Sequence, residues 1–145
     1  METRNAKRET RNDGGRGLAG RSQRESARLD WIVRAHQFAV RVVKMVAHLP
    51  TTPAGRTIAN QIVRSAPSIV MNLEEAKGAL TQKDTLHKTG IARREARETL
   101  RWLLLIRDAE LLHASKLELL INEADELVAM LTAGCKRLQE HLKQD

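Results

Sequence analysis

Two acid-x-x-His pairs, Asp84 with His87 and Glu110 with His113, are the residues of this chain whose spacing could ligate a metal. A di-iron helical bundle needs one such pair on each of two facing helices, plus two further glutamates. Both pairs here fall on one expected helix, and the 26 residues between Asp84 and Glu110 correspond to roughly 39 Å along its axis. They cannot share a site, so no metal ligand and no cofactor is expected. The other candidate chemistry is carboxylate work by Glu75 and Glu98 beside Asn72. Two acids in different environments can divide acid and base roles. The favoured reading is that they form a structural network, with Arg64 as counter-ion to acids that would be costly to bury alone. No nucleophile elbow, phosphate loop, dinucleotide fingerprint or H-E-x-x-H occurs, and Ser65 and Ser68 have no His near them in sequence. The expectation is a protein without catalytic residues; an enzyme built on Asn72, Glu75 and Glu98 ranks last among the readings.

These residues sit on a helix with two stripes. Ile58, Ile62, Ala66, Ile69, Leu73 and Ala76 step by three and four and form an apolar face. Gln61, Ser65, Ser68, Asn72 and Glu75 run one position behind. Hydroxyls, an amide and one acid there, in place of Lys and Glu, predict a partly buried, hydrogen-bonded ridge.

Gln61 to Glu75, Q-I-V-R-S-A-P-S-I-V-M-N-L-E-E, also carries a family resemblance. It resembles the signature Q-hydrophobic-x-R-(S/A)-x-x-S-I-x-x-N-I-A-E-G of the small four-helix bundle protein family. That family includes proteins encoded in intervening sequences of large-subunit ribosomal RNA genes and accessory variability proteins of diversity-generating retroelements. Gln61, Arg64, Ser65, Ser68, Ile69, Asn72 and Glu75 match; Glu74 and Ala76 replace the usual alanine and glycine. Downstream, Ile91, Ala92 and Glu98 match I-A-x-G-S-x-x-E, with Arg94 and Glu95 in place of glycine and serine. The resemblance spans about residues 31–131. It implies a four-helix bundle assembling as a ring-like homopentamer with a basic surface or channel, and a reverse transcriptase as one class of partner.

Composition agrees with an all-α fold. The chain has 145 residues, 41% of them hydrophobic, with no Tyr, one Phe and two Trp, so its core must be aliphatic. One cysteine, Cys135, excludes an internal disulfide and fits a reducing cytoplasm. No apolar run is longer than that of Trp102 to Ile106, which is far too short to span a membrane. Residues 1–25 are rich in Gly and Arg and poor in apolar side chains, and are expected to be a disordered basic tail. Eight basic residues face four acids between Met1 and Arg28.

Residues 26–145 are expected to form an antiparallel up-down-up-down bundle. Helix 1 covers about 26–47, with Leu29, Ile32, Val33, His36, Val40 and Val43 on one face and Phe38, Val42, Met45 and Leu49 widening it. Thr52 and Pro53 start helix 2, which holds Pro67 inside and stops at Gly78. The break at Pro67 frees the Val63 carbonyl, predicts a kink, and leaves that carbonyl for Ser65 or Ser68. Thr81 to Asp84 starts helix 3, expected to reach Leu112, and Ser115 to Glu118 reads as a capping box for helix 4. Leu117, Leu120, Ile121, Ala124, Leu127, Val128, Leu131 and Leu138 should face inward.

The net charge is +7, which points to anionic partners. Arg34, Arg41, Lys44 and His48 share a face of helix 1; Arg94, Arg97 and Arg101 step along helix 3 with Arg93 beside them. Such stripes can track a phosphate backbone. The competing reading is a solvated face balanced by Glu95, Glu98 and Asp108. Scarcity of aromatics argues against sequence-specific single-strand reading by base stacking. The leading expectation is a non-enzymatic nucleic-acid-binding accessory protein; the alternative is a homo-oligomeric scaffold whose basic face meets an acidic protein.

Overall fold

The structure, a computed structural model, describes residues 14–145, with side chains described from residue 19. Four helices account for nearly all of it: α1 (Gly14–Val46), α2 (Pro53–Lys77), α3 (Gln82–Asp108) and α4 (Glu118–Leu142). They form a four-helix bundle in which α3 packs closely against both α2 and α4, and α1 lies mainly against α2.

Local chemistry explains the boundaries. Thr52 Oγ1 accepts the Gly55 N–H at 3.2 Å, with Pro53 at the first position of α2. Thr81 Oγ1 accepts the Asp84 N–H at 3.1 Å and donates to Asp84 Oδ2 at 2.8 Å, closing the first turn of α3. A side chain at Gly55 would run into the Pro50 carbonyl, so the α1–α2 turn requires glycine there. Helix α2 runs continuously through Pro67. Ser65 Oγ turns to the Ile62 carbonyl and to Thr99, and not to Val63.

Three boundaries differ from expectation. The tail was expected to reach residue 25. Residues 1–13 lie outside the described residues, but the chain is already helical from Gly14. Once the docked part of α1 exists, each added residue gains one bond, and Arg21, Gln23, Arg24 and Glu25 are good helix formers. Helix α3 stops at Asp108, short of Leu112. Glu110 takes a left-handed φ of 56°, the Leu111 N–H reaches the Ile106 carbonyl at 3.1 Å, and the Glu110 N–H reaches Arg107 at 3.0 Å. This is a Schellman closure with glutamate where glycine is usual. The Ser115–Glu118 capping box is not formed. His113 Nδ1 takes the Ser115 N–H at 3.2 Å and the Ser115 hydroxyl at 2.8 Å, capping a single 3-10 turn (Ala114–Lys116). Helix α4 begins without a side-chain cap, anchored by fully buried Leu117.

The α2 stripe is buried from Ile62 to Ala76, with Ile58 partly so, and α4 buries Leu117, Leu120, Ala124, Leu127 and Leu131. Helix α1 departs from the expected face. It buries Ile32, Ala35, Phe38, Ala39, Val42, Met45 and Leu49, while Leu29, Val33, Val40 and Val43 are 40–51% exposed. The helix carries two apolar stripes, and the one with the chain's only Phe, flanked by Ala35 and Ala39 that permit close approach, takes the core.

Two substitutions test these features by thermal melting. Glu110→Gly relieves the left-handed strain and should raise stability by about 1 kcal/mol. Gly55→Ala forces the turn to move and should lower it by roughly 1–3 kcal/mol. An unchanged midpoint in either would contradict the geometry.

Candidate functional site

The polar ridge of α2 meets α3 in a layered seam. At its base, Ser65 and Thr99 are fully buried with their hydroxyls 2.8 Å apart. Thr99 Oγ1 donates to the Glu95 carbonyl at 2.8 Å, so the Ser65 O–H is left to donate to Thr99. Above them the Arg64 guanidinium spans two carboxylates. Nη2 lies 2.6 Å from both Glu98 oxygens, and Nη1 lies 3.2 Å and 3.4 Å from those of Glu95. Trp102 Nε1 donates to Glu98 at 3.2 Å, fixing the half-buried indole on the same acid.

The electrostatics follow from these contacts. The Arg64 hydrogen bond, outweighing partial burial, holds the Glu98 carboxyl below its ordinary range, with the Trp102 bond adding to it. The Glu98 bond in turn raises Arg64.

The expected cluster is only half assembled. Arg64 and Glu98 meet, but Glu75 pairs with Lys88 at 2.5 Å. Asn72 Nδ2 donates to the Ser68 carbonyl at 2.8 Å within its own helix. Gln61 and Ser68 are half-buried on the ridge. Glu95, absent from the expected network, is its second acid. Its position beside Arg94 in the sequence gave no sign that it turns toward α2.

The basic candidates separate into two groups. Arg34 Nη2 lies 3.0 Å from Glu126, and Arg41 pairs with Glu123, so both bridge α1 to α4. Lys44 is exposed without an ion pair among the described residues. On α3, Arg94, Arg97 and Arg101 are exposed, lie opposite the buried Ala92–Ala96–Leu103 line, and likewise form no ion pair among the described residues. Arg93 is half-buried, and its Nε is closed off without a hydrogen-bond partner, so it does not join that ridge. The acids expected to balance the ridge are engaged elsewhere: Glu95 and Glu98 by Arg64, Asp108 by Arg107 at 2.9 Å.

Among the described residues no three His, Cys, Asp or Glu side chains converge, and His113 serves as a cap. Burial pushes the Cys135 thiol up, opposed by nearby Arg93, leaving a poorly nucleophilic sulfur. No described helix is long and apolar enough to cross a membrane.

The seam makes a pH-dependent contribution. Because the folded Glu98 carboxyl titrates below its unfolded value near 4.5, its stabilisation is complete above that pH and is lost as pH falls through the lower folded value. Both partners are about a third or more exposed, so Glu98→Gln should cost about 1 kcal/mol or less at neutral pH. Denaturant midpoints of the two proteins should converge below about pH 4.5; parallel curves would contradict the pairing.

Comparison with known proteins agrees with this geometry. The family model described as 23S rRNA-intervening sequence protein matches residues 27–133. A crystal structure of a protein of unknown function from the S23 ribosomal protein family of Bacteroides thetaiotaomicron is similar at a TM-score of 0.69 and 30% identity. The match covers 75% of this chain and 97% of that one. No curated protein matches. With most of its length matched and its α2–α3 seam built from the motif residues Arg64, Ser65 and Glu98, the chain belongs to the 23S rRNA-intervening sequence protein family.

Proposed function

We propose that this protein is a non-enzymatic accessory protein that binds the backbone of RNA or DNA through the outer ridge of α3. One observation carries the reading: Arg64 draws Glu95 and Glu98 toward α2, leaving Arg94, Arg97 and Arg101 exposed without acidic partners among the described residues. Three guanidiniums within about two helical turns suit bidentate contacts to successive phosphates. No Tyr, Trp or Phe lies on that ridge, which favours backbone and shape over base reading. The family's name, with its ribosomal RNA intervening sequence, supports RNA as the first ligand to try. A reverse transcriptase is the protein partner that the family resemblance adds; the single cysteine, Cys135, fits the cytoplasm as the compartment.

The same proposal makes each antiparallel bundle one subunit of a homopentameric ring. The order of the ion pairs supports the antiparallel arrangement: Arg64 meets Glu98 and Glu75 meets Lys88, while Arg34 meets Glu126 and Arg41 meets Glu123. The exposed α1 stripe supports assembly. Leu29, Val33, Val40 and Val43, with His36 between, continue the four-three spacing of a helical contact seam over four turns.

Fluorescence anisotropy with labelled structured RNA tests the ridge. Binding should weaken steeply with salt. The Arg94→Ala/Arg97→Ala/Arg101→Ala variant should lower the log–log salt slope by roughly 2–3, one unit per lost phosphate contact. No binding at low salt would remove the reading and leave the basic face for an acidic protein partner. For assembly, Val33→Glu/Val40→Glu should convert a pentamer-sized species to monomer in light scattering; a wild-type monomer would refute the ring.

A further inference from the structure

One end of the bundle holds a cavity that the α3 ridge does not reach. It has a volume of about 590 Å³, and its walls come from the N-terminal half of α1 and the adjoining ends of α2, α3 and α4. That volume lies in the range of small-molecule sites. Its floor is apolar, with Leu73, Leu138 and the half-buried indole of Trp31. Gly134 makes room for that indole: a Cβ there would stand 2.5 Å from Trp31 Cη2. The aromatic ring is therefore seated against the α4 backbone while one part of it lines the cavity.

The charge of the lining is one-sided. Among the described residues Arg24, Arg28 and Arg137 line the cavity, no acid does, and none of the three forms an ion pair. Gln23 and Gln82 add side-chain amides, each able to donate and accept. An aromatic surface, amides and a set of guanidiniums in one cleft match a ligand with a flat, hydrogen-bonding ring and a phosphate. Inorganic phosphate would use only the arginines. A fatty acid would use the floor and the cations but make no use of the two amides.

We propose that this cavity binds a single nucleotide, its base against Trp31 and its phosphate on Arg24, Arg28 and Arg137. Base–aromatic stacking supplies part of the affinity, and charge-assisted hydrogen bonds to the phosphate supply the rest. The nucleotide is either free or the phosphorylated end of a strand. The site shares no residue with the α3 ridge, so it stands or falls separately from the backbone-binding reading.

The test is tryptophan emission of the full chain during titration with adenosine 5′-monophosphate. Saturable quenching is expected, and Trp31→Phe should abolish it while Trp102 emission remains. Arg28→Ala/Arg137→Ala should weaken binding at least ten-fold with an unchanged circular dichroism spectrum, and adenosine without phosphate should bind at least ten-fold more weakly. The Arg94→Ala/Arg97→Ala/Arg101→Ala variant should keep the quench even where it loses RNA. If a short RNA with a 5′-phosphate competes and its unphosphorylated form does not, the ligand is a strand end; if neither competes, it is the free nucleotide. Absence of saturable quenching to millimolar concentration, quenching that survives in Trp31→Phe, or tighter binding of palmitate than of the nucleotide would each overturn the proposal.

Discussion

The α2–α3 seam is the constraint on which the rest of this bundle depends. Ser65 and Thr99 are fully buried hydroxyls that satisfy each other at 2.8 Å. A slip of α3 by one turn would separate them, leaving each hydroxyl only a carbonyl of its own helix and losing an inter-helix bond worth about 0.5–1.5 kcal/mol. The hydroxyl pair therefore fixes register, a task that Leu and Ile packing does weakly. Arg64 then closes the same seam from above. Its planar fork engages Glu95 and Glu98, one turn apart on α3, and a lysine could not hold both in that geometry. Through Glu98 the pair also fixes Trp102.

Helix α1 is held differently. It packs more lightly against α4 than against α2, and the groove between α1 and α4 is crossed by Arg34 to Glu126 and Arg41 to Glu123 at the surface. Exposed ion pairs contribute little each, so the docking of α1 rests on Phe38, Val42 and the small residues around them. The helix retains a second apolar stripe that a lone bundle has no use for. Its burial by another molecule would remove apolar surface from water without disturbing the seam that fixes the fold.

The fold was legible in sequence wherever a single periodic signal stood alone. Helix α2, with Thr52, Pro53 and a clean stripe from Ile58 to Ala76, and the Thr81–Asp84 start of α3 are of this kind. The reading failed where two signals of similar strength competed. On α1 two apolar stripes share one helix, and only tertiary packing chooses between them. At the start of α4 the Ser115–Glu118 pattern was sound in itself, but His113 captured Ser115 first. Past Asp108 nothing local announces a stop; the turn relies on Glu110 adopting a conformation that glycine would adopt more readily. At the site, the match of Arg64 with Glu98 was readable because both lie in motif positions. The departure of Glu75 to Lys88 was not, since it depends on which turn of α3 faces which turn of α2.

Charge placement follows from the same seam. From Arg93 on, helix α3 sets Arg93, Arg94, Arg97, Arg101 and Arg107 against Glu95, Glu98 and Asp108, so that on a solvated face the acids would offset most of the cations. Folding removes that offset. Two of the acids turn sideways to one arginine of α2, the third is taken by its neighbour Arg107, and Arg93 is half-buried. What remains outward is a short run of guanidiniums with no aromatic among them. The bundle end is the complement, since Trp31 lies there among arginines drawn from α1 and α4. A ridge without aromatics can grip only charge and shape, whereas a cationic cleft with an indole can also take a base. The two basic regions thus differ in the chemistry they offer, a distinction that net charge conceals.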